Sequence, residues 1–224
     1  AVPMRHGMTA GEMALLLNSE LDIHCDLTVV EMQGWRRDAW FDQTGLPWIQ
    51  PSPNLPALES ATVYPGMVLL EGTHVSEGRG TTRPFELIGA PYIRSRSYAE
   101  YLNDLGLPGV YFRPAYFQPT FNKWSGEVCG GVQVHVQERD ALEPYLTGIA
   151  AVTGILNLYP EHFRWIDPPY EYEFEKRPIE ILCGCREVPD MMERGADPET
   201  FRDYWRRDVE DFLKRRKPYL LYEE

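Results

Sequence analysis

Apolar residues recur at helical spacing in three places along the chain. Thr9 is placed to cap the segment Ala10 to Glu20, and Glu12 stands at N3 to complete a capping box. Met13, Leu16 and Leu17 then share one face, which predicts a helix ending near Asn18. Ala141 to Leu158 is apolar on all sides and reads as a buried helix. Pro198 to Arg216 is amphipathic, with Phe201, Trp205, Val209, Phe212 and Leu213 on one side and arginines and aspartates outward. A fourth helix is expected over Arg96 to Leu105, capped by Ser97 and ended by Gly106.

Strand patterns lie between these helices. Leu27 to Met32, Val110 to Phe112, Gly131 to Val136 and Ile179 to Cys183 all read as strands. In the third, Val132, Val134 and Val136 alternate with Gln133 and His135, so the polar pair either lines a cleft or faces water. A helix followed by a strand at 10–32 predicts the closing unit of an α/β sheet. Leu58 to Leu70 is ambiguous, because Pro65-Gly66 divides it into a short helix and a short strand.

The pattern breaks most sharply after Leu70. From Glu71 to Glu86 the chain carries carboxylates at Glu71 and Glu77, Arg79 between two glycines, and hydroxyls at Thr73, Ser76, Thr81 and Thr82. Gly72, Gly78 and Gly80 allow the backbone to turn or to approach a ligand closely. A polar loop at the end of an apolar run is a common place for a ligand site. The alternative is a set of surface ion pairs from Glu71 and Glu77 to Arg79 and Arg83. Residues 33 to 60 form a long loop in which Trp35, Arg36, Trp40, Asp42 and Trp48 suit sugar binding, or else make a tryptophan-rich core wall. A second aromatic loop, Phe117 to Glu127, carries Asn122, Lys123 and Trp124 near its turn, and a third runs from Pro160 to Phe174.

Charge narrows the function classes. The 224 residues hold 22 basic and 34 acidic side chains, a net charge of −12, which disfavours nucleic acid as a partner. No apolar run reaches the length of a membrane span. The four cysteines, Cys25, Cys129, Cys183 and Cys185, lack redox or zinc spacing and read as inert buried thiols. The histidines are dispersed, with no metal-binding pattern, and no cofactor is expected. The chain opens on Ala1, without a leader pattern, and reads as a processed piece, a truncated one, or part of a longer gene product.

Several segments together resemble the bacterial exo-β-N-acetylmuramidase family, formerly a family of unknown function whose members trim peptidoglycan fragments. They are Arg5-His6-Gly7-Met8-Thr9, Trp40 to Trp48, Pro51 to Pro56, Tyr64-Pro65-Gly66, Glu71 to Thr82, Pro84 to Pro91, Pro119 to Trp124 and Cys129 to Gln133. They run in family order through the first 140 residues, while the last third matches loosely. The resemblance implies a mixed α/β chain. Residues 1–90 would end a Rossmann-like α/β domain bearing the acidic, glycine-rich loop, and 91–224 would form a smaller α+β domain with a mixed sheet.

The resemblance also implies a glycoside hydrolase that releases N-acetylmuramic acid from the non-reducing ends of muropeptides, with its site in a cleft between two domains. Such chemistry needs one carboxyl as acid and a second group as base or nucleophile. Glu71 and Glu77 are the best local pair. Arg79 would hold one of them ionised or take the lactyl carboxylate of the sugar. His74, Ser76, Thr73, Thr81, Asn54, Arg5, His6, Trp40, Trp124 and Gln133 complete the expected substrate contacts. Family members also carry an N-terminal Rossmann-like domain, where a Gly-Pro-Glu-His-Gly type loop would hold a principal glutamate. That motif is absent from these residues, and His74 stands where the family usually has asparagine.

The implied partners are therefore a peptidoglycan-derived sugar or muropeptide and an N-terminal domain or partner chain that completes the site. The implied compartment is the periplasm or the exterior, with the cytoplasm left open. A non-catalytic muropeptide-binding portion is the alternative, and a purely structural subunit the third reading.

Overall fold

A computed structural model describes residues 2–223. The chain divides into two compact units, Ala1–Trp48 with Asp203–Glu224, and Ile49–Arg202. The boundary expected at residue 90 falls inside the larger unit. The fold is mixed α/β with a small antiparallel sheet.

The smaller unit is built on α1 (Ala10–Glu20). Its capping box forms as the sequence predicts: the Glu12 amide donates to Thr9 Oγ1 at 3.3 Å, and the Thr9 amide to Glu12 Oε2 at 2.8 Å. Met8, Leu16 and Phe212 make its core, flanked by Met13, Tyr219 and Leu220. Leu27–Met32 is not a strand. Among the described residues nothing pairs with it, Val30 is 89% exposed, and the Met32 amide donates to the Tyr222 hydroxyl. Period-2 patterning without a ladder leaves the backbone extended and unpaired. Two of the tryptophans here pack against other side chains: Trp35 meets Tyr222 edge-on and lies beneath Arg37, and Trp48 meets Phe41 edge-on.

The larger unit starts with α2 (Leu58–Met67), which runs through Pro65 and tightens into a 3-10 turn at Val68–Gly72. The expected break into helix and strand therefore does not occur. Pro65 forgoes one helical hydrogen bond, but Val63, Met67, Leu69 and Leu70 are buried by keeping the chain wound. Gly66 explains the close packing: a Cβ there would lie 1.7 Å from the Pro144 carbonyl oxygen.

The sheet has the order β1-β3-β2, from β1 (Leu87–Ala90), β2 (Val110–Phe117) and β3 (Cys129–Val136), all antiparallel. Between β1 and β2 lies α3 (Ser95–Asp104). Its N-cap is Arg94 rather than Ser97, which sits inside the helix. Asn103 pairs with both backbone groups of Phe112, closing the outer edge of β2. After the sheet, α4 (Pro144–Leu158) is buried along most of its length, as its uniform apolarity predicts.

Pro178–Cys183 is a helix, α5, and not a strand. Pro178 at its first position and Gly184 in the left-handed region past its end are helix punctuation. Next come α6 (Glu187–Glu193) and α7 (Pro198–Arg216). The thiols are all free, but Cys25 is exposed, contrary to the expectation of burial. Cys129 and Cys183 lie where burial pushes their thiols up to about 11 and about 12. Among the described residues no helix is long and apolar enough to cross a membrane.

Candidate functional site

The loop from Thr73 to Phe85 is folded by its own polar groups. Thr73 donates its hydroxyl to Leu70 O and accepts from the Val75 amide, which stops the 3-10 turn. Residues 72–74 then lie against 164–166, with His74 N–H on Arg164 O and Ile166 N–H on Gly72 O. Ser76 exchanges both backbone bonds with Gly89, so the loop continues as an extra rung beside β1. Gly78 and Gly80 have φ of +78° and +83°, and a Cβ on Gly80 would lie 2.7 Å from the Phe121 backbone. Both the turn and the close approach exclude larger residues.

That approach docks the Phe117–Glu127 loop onto the acidic one. Thr120 donates to Gly80 O through both its amide and its hydroxyl, at 2.9 Å each. Asn122 and Trp124 both take left-handed backbone angles, φ +69° and +58°, which turns Lys123 inward between them. Lys123 Nζ then donates to Leu70 O, Val75 O and Glu77 Oε2, at 2.9, 3.2 and 2.8 Å. Trp124 Nε1 donates to His74 O at 2.6 Å.

Four charges and a phenol meet here. Arg79 Nη2 donates to Glu71 Oε1 at 2.5 Å, and Arg79 Nε faces Glu77 Oε1 at 3.0 Å, out of line for a hydrogen bond. Tyr170 donates its hydroxyl to Glu71 Oε2 at 2.8 Å. Phe85 lies 5.6 Å beneath the guanidinium, itself in a left-handed conformation at φ +64° and backed edge-on by Tyr64. Burial alone would lower Arg79, but the charges of Glu71 and Glu77 outweigh it and hold the guanidinium above its ordinary range. Burial pulls the Lys123 ammonium below its ordinary value against the opposing pull of Glu77. Burial and the Glu71 carboxylate both raise the Tyr170 phenol, so it remains a donor.

The two glutamates are not equivalent. Glu77 has a side chain only 2% exposed, with both oxygens facing cations. Glu71 is 16% exposed and Arg79 28%, so these two form the open side of the cluster. Ion pairs were a foreseeable alternative, but they are largely buried and Arg83 joins Glu86 instead.

The other expected contacts divide. Thr73 and Ser76 are buried, and Thr81 uses its hydroxyl on Gly78 O, so all three shape the loop. His74 is exposed and Trp124 half-buried beside it. Gln133 accepts from Arg113 on the sheet, and the half-buried Asn54 donates its amide to Ser52. Arg5, His6 and Trp40 belong to the smaller unit; His6 Nδ1 accepts from the Met8 amide. The cluster itself lies wholly within the larger unit. Lys123 and Tyr170 were absent from the expected site, because they come from 46 and 99 residues away. Among the described residues no His, Cys, Asp and Glu group could hold a metal ion.

Residues 1–59 match the model of the exo-beta-N-acetylmuramidase NamZ N-terminal family, and residues 62–222 match that of its C-terminal family. The chain is 47% identical over 221 residues to the peptidoglycan beta-N-acetylmuramidase NamZ of Bacillus subtilis (strain 168), covering 99% of this chain and 51% of that protein. Two crystal structures of DUF1343 family proteins from Bacteroides fragilis NCTC 9343 are also similar. One has a TM-score of 0.87 at 33% identity, over 99% of this chain and 58% of its own; the other has 0.71 at 29%, over 98% and 56%. The chain thus spans about half the length of these relatives.

Proposed function

The chain belongs to the exo-β-N-acetylmuramidase family, and from that premise we propose that it is the substrate-gripping half of a peptidoglycan glycoside hydrolase. The enzyme would release terminal N-acetylmuramic acid from non-reducing ends of muropeptides. The observation that carries this reading is the half-open Glu71–Arg79 pair set on the buried Glu77–Lys123 pair.

N-acetylmuramic acid brings an anionic lactyl group, and a planar guanidinium receives a carboxylate with two parallel donors. Arg79 is held flat by Phe85 beneath it and by Glu77 behind it, so it does not reorganise when the ligand arrives. Glu71, fixed by Arg79 and Tyr170, suits a base or an anchor for a sugar hydroxyl. Every carboxylate oxygen of the Glu71–Glu77 pair faces a donor or a cation, an arrangement that poorly serves a proton donor. The acid that protonates the leaving oxygen would come from the other half of the enzyme. A peptidoglycan substrate would favour the periplasm or the exterior as the compartment of the whole protein, with the cytoplasm left open.

The same observation favours a second reading, in which the chain only binds muropeptide. The test is hydrolysis of a chromogenic N-acetylmuramic acid glycoside by the chain alone and by the chain fused behind the N-terminal half of the Bacillus subtilis relative. Turnover by the fusion alone supports the proposal. Turnover by neither, with retained muropeptide binding, selects the second reading.

A further inference from the structure

The loop that delivers Tyr170 to Glu71 also presents two uncovered aromatic rings. Tyr172 is 93% exposed and Phe174 73% exposed, two residues apart. Large rings left this bare forgo the stabilisation of burial, and exposed aromatic surface commonly marks a contact site.

The loop is built. Tyr170 and Glu173 exchange both backbone hydrogen bonds, at 2.9 and 3.0 Å, around a turn whose Glu171 has φ +52°. Glu173 then accepts from the Glu175 and Lys176 amides, at 2.8 and 3.3 Å. The turn is thus pinned on its far side by its own carboxylate and on its near side by the Tyr170–Glu71 bond. The turn that carries both rings is thereby anchored to Glu71 through Tyr170.

Charge selects what these rings can meet. Glu171, Glu173 and Glu175 alternate with Tyr172 and Phe174. Three carboxylates in five residues repel an anionic lipid surface, a phosphate or the acidic lactyl sugar. They leave the C–H face of a neutral pyranose as the fitting occupant, with the Glu171 and Glu175 carboxylates as acceptors for its hydroxyl and acetamido donors. In a chain that alternates an acidic and a neutral sugar, Arg79 suits the first and this turn the second.

We propose that the 170–174 turn is the subsite for the neutral N-acetylated sugar on the leaving-group side of the cleaved bond, with Tyr172 and Phe174 as its stacking platform. The assignment rests on the hydrolase reading for which sugar leaves, but its binding chemistry is tested independently.

The experiment uses the Y172A/F174A double variant, whose thermal midpoint should match the parent because both rings are exposed. Ligand-observed saturation-transfer NMR with N-acetylglucosamine should give a signal with the parent chain and lose it with the variant. In the form that turns over, KM for a disaccharide ending in N-acetylmuramic acid should rise about tenfold. The chromogenic glycoside sets an aromatic aglycone rather than a sugar on the leaving-group side, so its KM should rise by a different factor from that of the disaccharide. No transfer with the parent, or equal transfer with the variant, overturns the subsite whether or not the chain is part of a hydrolase. Equal KM changes on both substrates also overturn it. Transfer lost in the variant, with no hydrolysis by any form, keeps the neutral-sugar site and sinks only the hydrolase reading.

Discussion

Lys123 reaches Glu77 across 46 residues of sequence, its ammonium 2.8 Å from Oε2, and fixes the aromatic loop onto the acidic one. The pair is buried, with side-chain exposures of 17% and 2%. Removing one partner of such a pair strands the other charge. K123M should therefore destabilise the chain by about 3–5 kcal/mol in urea unfolding. E77Q should cost a similar amount, because it leaves Lys123 and Arg79 short of a counter-charge. The double variant E77Q/K123M should lose much less than the sum, and strict additivity would show that the pair is not coupled.

Glu71 should behave differently, because it sits at the open side. E71Q should lower turnover by on the order of 10²–10⁴ in the active form while unfolding close to the parent. Y170F removes the hydroxyl that orients Glu71 and should lower kcat with KM nearly unchanged. A KM effect alone would assign Tyr170 to binding instead.

The acidic loop was legible as a candidate site because carboxylates, an arginine and glycines crowd behind an apolar run. The capping box at Thr9 and the alternation of β3 were legible because their signals span only a few residues. Lys123 and Tyr170 were not, since no local pattern says that a loop lysine will turn inward. The turn depends on the left-handed backbone of Asn122 and Trp124 and on the docking of Thr120 to Gly80. Leu27–Met32 misled for a related reason: strand patterning promises a ladder only where a neighbour exists. At α2 the proline signal was local and real, but burial against α4 decided the outcome.

Gly66 tests that last point. In a helix, alanine is favoured over glycine by about 1 kcal/mol. Here a Cβ would stand 1.7 Å from the Pro144 carbonyl oxygen and 3.0 Å from the Gly148 nitrogen of α4. G66A should thus destabilise by on the order of 3 kcal/mol, with the steric term winning. A gain in thermal midpoint would mean that the two helices can separate at little cost.

The thiols should separate by environment. Cys25 is exposed, whereas burial raises Cys129 to about 11 and Cys183 to about 12. At pH 8 a thiol-reactive dye should label Cys25 first in the native chain, as mapped by peptide mass. All four cysteines should react after denaturation. Early labelling of Cys129 would contradict the packing around β3.

Glu12 gives the smaller unit a defined acid sensitivity. Its burial alone would raise its pKa, but hydrogen bonds from Arg37 and from the Thr9 and Leu221 amides reverse this and bring it to about 2. The folded value thus lies below the ordinary 4.5, and the folded chain releases this proton more readily than the unfolded one. Its stabilisation is fully present above pH 4.5 and is lost as pH falls through about 2. A shift of this size corresponds to roughly 3 kcal/mol. Urea midpoints taken down that pH range should fall steeply for the parent. E12Q should start lower at neutral pH, because Arg37 is 12% exposed and loses its counter-charge, and should then show a flatter profile. Parallel profiles for parent and variant would mean that acid sensitivity arises elsewhere in the chain.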